Sequence, residues 1–142
     1  MFERFTEQAK DVMALANEEA IRRNHEYVGS EHILLGLMKE NRGVASRVLK
    51  SLGADFDRAN RELDKLVRNG PARLPPAKRR LTPRAQKVIE FAINEVRKLN
   101  HKSIGTEHLL LGILRESDGI AALVLINLGL PVCHRAPKLT PS

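Results

Sequence analysis

This sequence has no tryptophan, one tyrosine and four phenylalanines. Aromatic rings cannot fill its core, so leucine, isoleucine, valine and alanine must, a composition that suits packed helices. It has one cysteine, Cys133, which excludes an internal disulfide and points to a reducing compartment. No apolar run approaches the ~20 residues of a membrane span. The start, Met1-Phe2-Glu3-Arg4-Phe5-Thr6-Glu7, carries acids and lacks the apolar stretch of a secretory signal. The expectation is a cytoplasmic protein with no membrane contact. Also missing are the patterns G-x-x-x-x-G-K-[ST], G-x-S-x-G, H-E-x-x-H and C-x-x-C. Cys133 has no neighbouring acid and base on a periodic element that would activate it. The chain is therefore expected to be no enzyme, with no catalytic residue, no cofactor and no metal.

What is present fits one domain. The 142 residues are 42% hydrophobic and 29% charged, the mix of a globular protein rather than a disordered one. Twenty-four Lys and Arg against 17 Asp and Glu leave a formal charge of +7. That excess bears on partners, which could be nucleic acid, a membrane surface or a phosphorylated protein.

The dominant feature is an internal repeat. Asn24-His25 recurs as Asn100-His101, and Gly29-Ser30-Glu31-His32 as Gly105-Thr106-Glu107-His108. Thr6 matches Thr82, Gly43 matches Gly119, and Leu52-Gly53 matches Leu128-Gly129. Every pair is 76 positions apart, and about 20 of the 50 pairs over 5–54 and 81–130 are identical without a gap. Repeat one spans 5–70, a basic proline-rich linker 71–80, repeat two 81–130, and an irregular tail 131–142.

Each unit reads as helical. Val12, Leu15, Ala16 and Ala20 recur at spacings of three and four, one apolar face of a helix over 7–23. Thr6 and Thr82 stand as N-caps, with Pro83 at the first helical position. Ser30 and Thr106 are expected to cap the next helices, with Glu31 and Glu107 in their first turns, where the helix dipole favours an acid. Those helices are apolar almost all round and should form the centre of the core. A third helix runs over 44–52 to a C′ glycine at Gly53. A fourth covers 55–68, with Leu63, Leu66 and Val67 facing inward. In repeat two the matching stretch carries Pro131 and Pro137, so the last helix is expected to be lacking. The fold class is all-α, a pseudo-twofold pair of four-helix repeats with the second incomplete.

Several residues bear on function. His25, Glu31 and His32 do not make a metal site at their spacing, because residues 31 and 32 point about 100° apart on a helix. The histidines are instead expected to hydrogen-bond within each repeat and fix the interhelical turn. A helix start offers N–H groups to an anion, and a carboxylate beside it attracts a cation. A ligand carrying both a phosphate and a guanidinium would answer both. Arg73, Lys78, Arg79, Arg80 and Arg84 cluster near the linker, but few aromatics exist for base stacking, so a solvated linker is preferred to a nucleic-acid interface.

The segments Phe2-Glu3-Arg4-Phe5-Thr6, Gly29-Ser30-Glu31-His32-Ile33-Leu34-Leu35-Gly36-Leu37 and Leu81-Thr82-Pro83-Arg84-Ala85 resemble the N-terminal domain of ClpC-type Clp/Hsp100 unfoldases. Gly105-Thr106-Glu107-His108-Leu109-Leu110-Leu111-Gly112 carries the same signature again. The resemblance covers about residues 1–130. It implies a domain that receives client and adaptor proteins above Clp ATPase rings and passes clients to a protease. It further implies recognition of phosphoarginine, with Glu31 and Glu107 taking the guanidinium and Thr6 and Thr82, at the head of each repeat, beside the phosphate. The ATPase modules of that family are missing from these 142 residues. An alternative is a free-standing accessory that regulates the Clp machine without reading phosphoarginine, and a remote one is a basic nucleic-acid binder.

Overall fold

A computed structural model describes residues 4–70, 74–75, 77–116 and 119–130. Repeat one forms α1 (Glu7–Arg22), α2 (Ser30–Glu40), α3 (Val44–Ser51) and α4 (Phe56–Leu66). Repeat two forms α5 (Pro83–Lys98), α6 (Thr106–Arg115) and α7 (Ile120–Asn127). The all-α class holds, and α1, α2 and α3 recur as α5, α6 and α7 through the 76-residue shift. The expected irregular tail, 131–142, lies outside the described residues, as do linker residues 71–73 and 76. No helix among the described residues is long and apolar enough to cross a membrane.

The helices stop and start where local chemistry dictates. Thr6 and Thr82 accept the N–H groups of Ala9 and Ala85 at 3.2 and 3.0 Å, capping α1 and α5. Asp55 caps α4 by accepting the N–H of Arg58. Asn24 and Asn100 adopt the left-handed conformation, φ 57° and 60°, immediately after α1 and α5. That is why Asn-His recurs in the sequence: asparagine tolerates the turn that brings the histidine round.

The core is aliphatic throughout. Ile33, Leu34, Leu35 and Leu37 of α2 are buried, as are Leu109, Leu110 and Ile113 of α6. Each such side chain contributes about 1.5–3 kcal/mol by leaving water. Gly36 and Gly112 bring α2 onto α1 and α6 onto α5 at close range. A β-carbon on them would lie 2.6 Å from the Val12 carbonyl oxygen and 2.3 Å from that of Val88. On α4, Leu63 is buried, but Leu66 is exposed and Val67 half-buried, because the helix ends at Leu66 and its last turn overhangs the core.

Two short parallel backbone pairings among the described residues link the repeats, and neither is legible as helix periodicity. β1 (Tyr27–Val28) pairs in parallel with β2 (Arg80–Leu81), in the register Tyr27↔Arg80 and Val28↔Leu81. The symmetric counterpart is a single bridge, Phe5↔Ile104. Arg79, expected in a solvated linker, is instead buried. Its guanidinium donates to the carbonyls of His25, Pro75 and Ala77, and its N–H donates to Asn17 Oδ1. It pins the linker to repeat one.

Candidate functional site

Ser30 and Thr106 are not the N-caps. Gly29 and Gly105 hold the cap positions, and the hydroxyl residues open α2 and α6 as their first members. The capping duty passes to the third helical residue, since the N–H of Gly29 donates to His32 Nδ1 and that of Gly105 to His108 Nδ1, both at 2.8 Å. Thr106 acts across the repeats instead, its Oγ1 accepting the N–H of Ala45 at the start of α3. Ser30 lies correspondingly near Gly119, at the start of α7. A cap on another element leaves no local sequence trace.

The glycine cap positions have a second effect. A β-carbon on Gly29 would sit 2.5 Å from Glu31 Oε1, and one on Gly105 would sit 2.5 Å from Glu107 Oε1. The two carboxylates therefore lie folded back over bare backbone, at helix starts whose first N–H groups lack intrahelical partners. Both glutamates are half-buried, and among the described residues neither forms an ion pair or hydrogen bond.

The backbone of each threonine is tied across the pseudo-twofold to the segment that leads into the other repeat's glutamate. Thr82 N–H donates to the Val28 carbonyl, three residues before Glu31, and Thr6 N–H donates to the Ile104 carbonyl, three before Glu107, both at 2.9 Å. The sequence-based expectation named Glu31, Glu107, Thr6 and Thr82 without pairing either threonine with one glutamate. The backbone bonds make Thr82 with Glu31 and Thr6 with Glu107 the candidate pairs. Each threonine oxygen accepts a backbone N–H, which leaves its hydroxyl hydrogen free to point at an anion.

Behind each glutamate runs a histidine chain. His32 Nδ1 accepts from Gly29, so its proton sits on Nε2 and is donated to His25 Nδ1 at 2.8 Å. His25 Nε2–H then donates to the Arg68 carbonyl at 2.9 Å. All four ring nitrogens are engaged, leaving no lone pair for a metal. Burial, reinforced by the positive potentials of His25 and Arg23, pushes the His32 imidazole down to about 3. In repeat two His108 donates to His101 at 2.8 Å. Burial also lowers His108, with Glu107 opposing the shift.

The two sites are not alike. Glu31 borders a hollow of about 520 Å³ whose lining includes Asn24, His25, Tyr27, Arg68 and Leu74. Thr82 is not in that lining. At the second site Ser103 replaces Tyr27, and the described residues contain no counterpart of Arg68. Tyr27 and Arg68 were not singled out from sequence because they break the repeat. In retrospect that departure from symmetry was the signal. Of the basic cluster, Arg79 is internal and Arg84 pairs with Glu116 at 2.9 Å, which weakens any reading as a phosphate-binding strip. Arg73 lies outside the described residues.

The fold is a duplicated helical module in which each copy carries a glycine-capped helix start with a carboxylate folded over it. The chain belongs to the Clp repeat (R) N-terminal domain family, whose pattern matches residues 4–128. It is 50% identical over 129 residues to the chaperone protein ClpB of Oceanobacillus iheyensis, and 49% identical over 129 residues to the negative regulator of genetic competence ClpC/MecB of Bacillus subtilis. Each match covers 91% of this chain and 16% of the relative, so the chain spans about a sixth of the length of those proteins. Among solved structures it is similar to the N-terminal domain of the ClpD chaperone from Arabidopsis thaliana, with TM-score 0.77, 26% identity, and 93% and 89% of the two chains covered. A ClpV N-domain in complex with a VipB peptide shares the fold at TM-score 0.74 and 18% identity, over 94% of this chain and 82% of that one.

Proposed function

We propose that this chain is a substrate- and adaptor-recognition domain of a Clp unfoldase system. In this reading it binds phosphoarginine-marked proteins and performs no catalysis of its own. The observation that carries the reading is the pair of carboxylates, Glu31 and Glu107, each unpaired among the described residues and each at a helix start whose leading segment bonds the backbone of a capping threonine. A phosphoarginine side chain presents both charges within a few ångströms. The carboxylate accepts guanidinium N–H groups in a charge-assisted contact, while the phosphate meets the helix-start N–H groups and the threonine O–H. An unmodified arginine satisfies only the acid, and a phosphoserine only the helix start. Specificity thus arises from requiring both. The family's peptide-bound relative supports the coarser part of the reading, since that ClpV N-domain was solved with a VipB peptide.

Calorimetric titration of the chain with a phosphoarginine peptide and its unphosphorylated twin tests this. Binding of the first alone is expected, at a stoichiometry approaching two. Glu31→Ala and Glu107→Ala should each remove one site, at about 1.5–3 kcal/mol for a charged hydrogen-bonding partner. The double variant should bind nothing. Undiminished binding by the double variant, with its helical content intact, would overturn the proposal.

A further inference from the structure

The repeat keeps the frame around each glutamate and inverts a charge on it. Asn24 and Asn100 turn the chain with φ of 57° and 60°, and the N–H groups of His25 and His101 donate to the carbonyls of Ala20 and Val96, both at 2.9 Å. His25 meets His32 as His101 meets His108, at 2.8 Å between nitrogens and 5.0 Å between ring centroids. The backbone from α1 to α2 thus takes the same course as that from α5 to α6. The residues after the two histidines do not match. Glu26 follows His25 and lines the hollow beside Glu31, whereas Lys102 follows His101. Both are exposed, and among the described residues neither has a hydrogen-bond or ion-pair partner. Tyr27, 50% exposed, gives way to Ser103. Nothing in the folding of either loop calls for these signs, so the inversion bears on what the loops meet.

We propose, on the basis of phosphoarginine recognition at Glu31 and Glu107, that the two sites sort phosphoarginines by the charge of the flanking residues. The Glu31 site takes those with basic neighbours and the Glu107 site those with acidic ones. At the first site, a lysine or arginine beside the phosphoarginine meets the Glu26 carboxylate, and the Tyr27 ring offers its π face to the same cation. At the second, Lys102 attracts an acidic neighbour and repels a basic one, and Ser103 has no ring to offer.

The other charges beside the loops leave this contrast standing. Arg80 is the register partner of Tyr27, but its counterpart 76 positions away is also an arginine, Arg4, whose carbonyl accepts the N–H of Ile104 next to Ser103. Matched charges of this kind act alike on both sites. Arg68 lines the first hollow and offsets one of its two acids, Glu26 and Glu31, which leaves that lining acidic with its histidines neutral. Exposed charges in water shift an affinity by only about two- to fivefold per pair, so the sorting is a preference and not an exclusion.

The probes are two phosphoarginine peptides of equal length, one flanked by lysines and one by glutamates, titrated calorimetrically into the full chain. Glu107→Ala isolates the first site and Glu31→Ala the second. The formal charge of +7 favours the acidic peptide everywhere, so the quantity that decides is the ratio of the two affinities, compared between the sites. The lysine-to-glutamate ratio should be at least about fourfold higher at the first site. Glu26→Lys should lower the ratio at the first site and Lys102→Glu should raise it at the second, each by about two- to fivefold, with the circular dichroism spectrum unchanged. Equal ratios at the two sites, or ratios that Glu26→Lys and Lys102→Glu do not move, overturn the sorting and leave phosphoarginine recognition standing. Failure of both peptides to bind either variant overturns the two together.

Discussion

Acidification should loosen this domain chiefly through His32. Its ring is 1% exposed, Nδ1 accepts from Gly29, and Nε2–H donates to His25. A second proton would have to go on Nδ1, where it would face the Gly29 N–H, donor against donor. The folded protein therefore resists protonation until about pH 3, whereas in the unfolded chain the same imidazole titrates near its ordinary 6.5. Between those values the unfolded state binds the extra proton, so stability rises with pH through the window and falls as pH drops through it. One proton corresponds to about 1.4 kcal/mol per pH unit, and lowering the pH from about 7.5 to about 5 should cost about 2 kcal/mol from this residue alone. The assay is urea denaturation, followed by circular dichroism at each pH, of the wild type and of His32→Gln. The glutamine oxygen can still accept from Gly29 but does not titrate. The variant should be weaker at neutral pH, by about 1–3 kcal/mol for the broken chain. The difference between the two proteins should then shrink by about 2 kcal/mol on acidification. Parallel stability curves would refute the reasoning, because His32 would then titrate alike in both states.

Replacing Gly36 or Gly112 by alanine forces helices apart, since the new carbon meets a carbonyl oxygen at 2.6 or 2.3 Å; each should cost about 1–3 kcal/mol in urea midpoint analysis. Thr106→Val removes the acceptor for the Ala45 N–H and should cost about 1 kcal/mol, with Thr106→Ser restoring most of it. Gly105→Ala should act differently. Its φ of −102° suits alanine, so the fold should survive. The new methyl displaces the Glu107 carboxylate, and calorimetry should show phosphoarginine affinity falling at one site of two.

Much of this architecture could be read from residues alone because it is local. Thr82-Pro83, the apolar spacing of Val12, Ala16 and Ala20, and the glycines at 53 and 129 each fix a helix end or face within a few positions. The 76-residue offset then doubled every such signal. What escaped were relations between distant segments. Ser30 and Thr106 look like N-caps because hydroxyl residues usually cap the helix they precede, yet a bare glycine followed by a histidine three residues on does that job here. Their hydroxyls are thereby released toward the other repeat. The backbone ties of Thr6 and Thr82 to the opposite repeat come with two short parallel bridges that no periodicity announces. Glu31 and Glu107 could be picked out as candidates, but their posture over Gly29 and Gly105 depends on atoms those glycines lack.

The contacts that cross between the repeats have a bearing on ancestry. A half-length chain with one such module would leave a Thr106-like hydroxyl and the backbone N–H of a Thr6-like residue without their mates, and could find them only on a sister molecule. Fusion of two modules into one polypeptide removes that dependence on concentration. It also frees the halves to drift apart, as Tyr27 opposite Ser103 already illustrates.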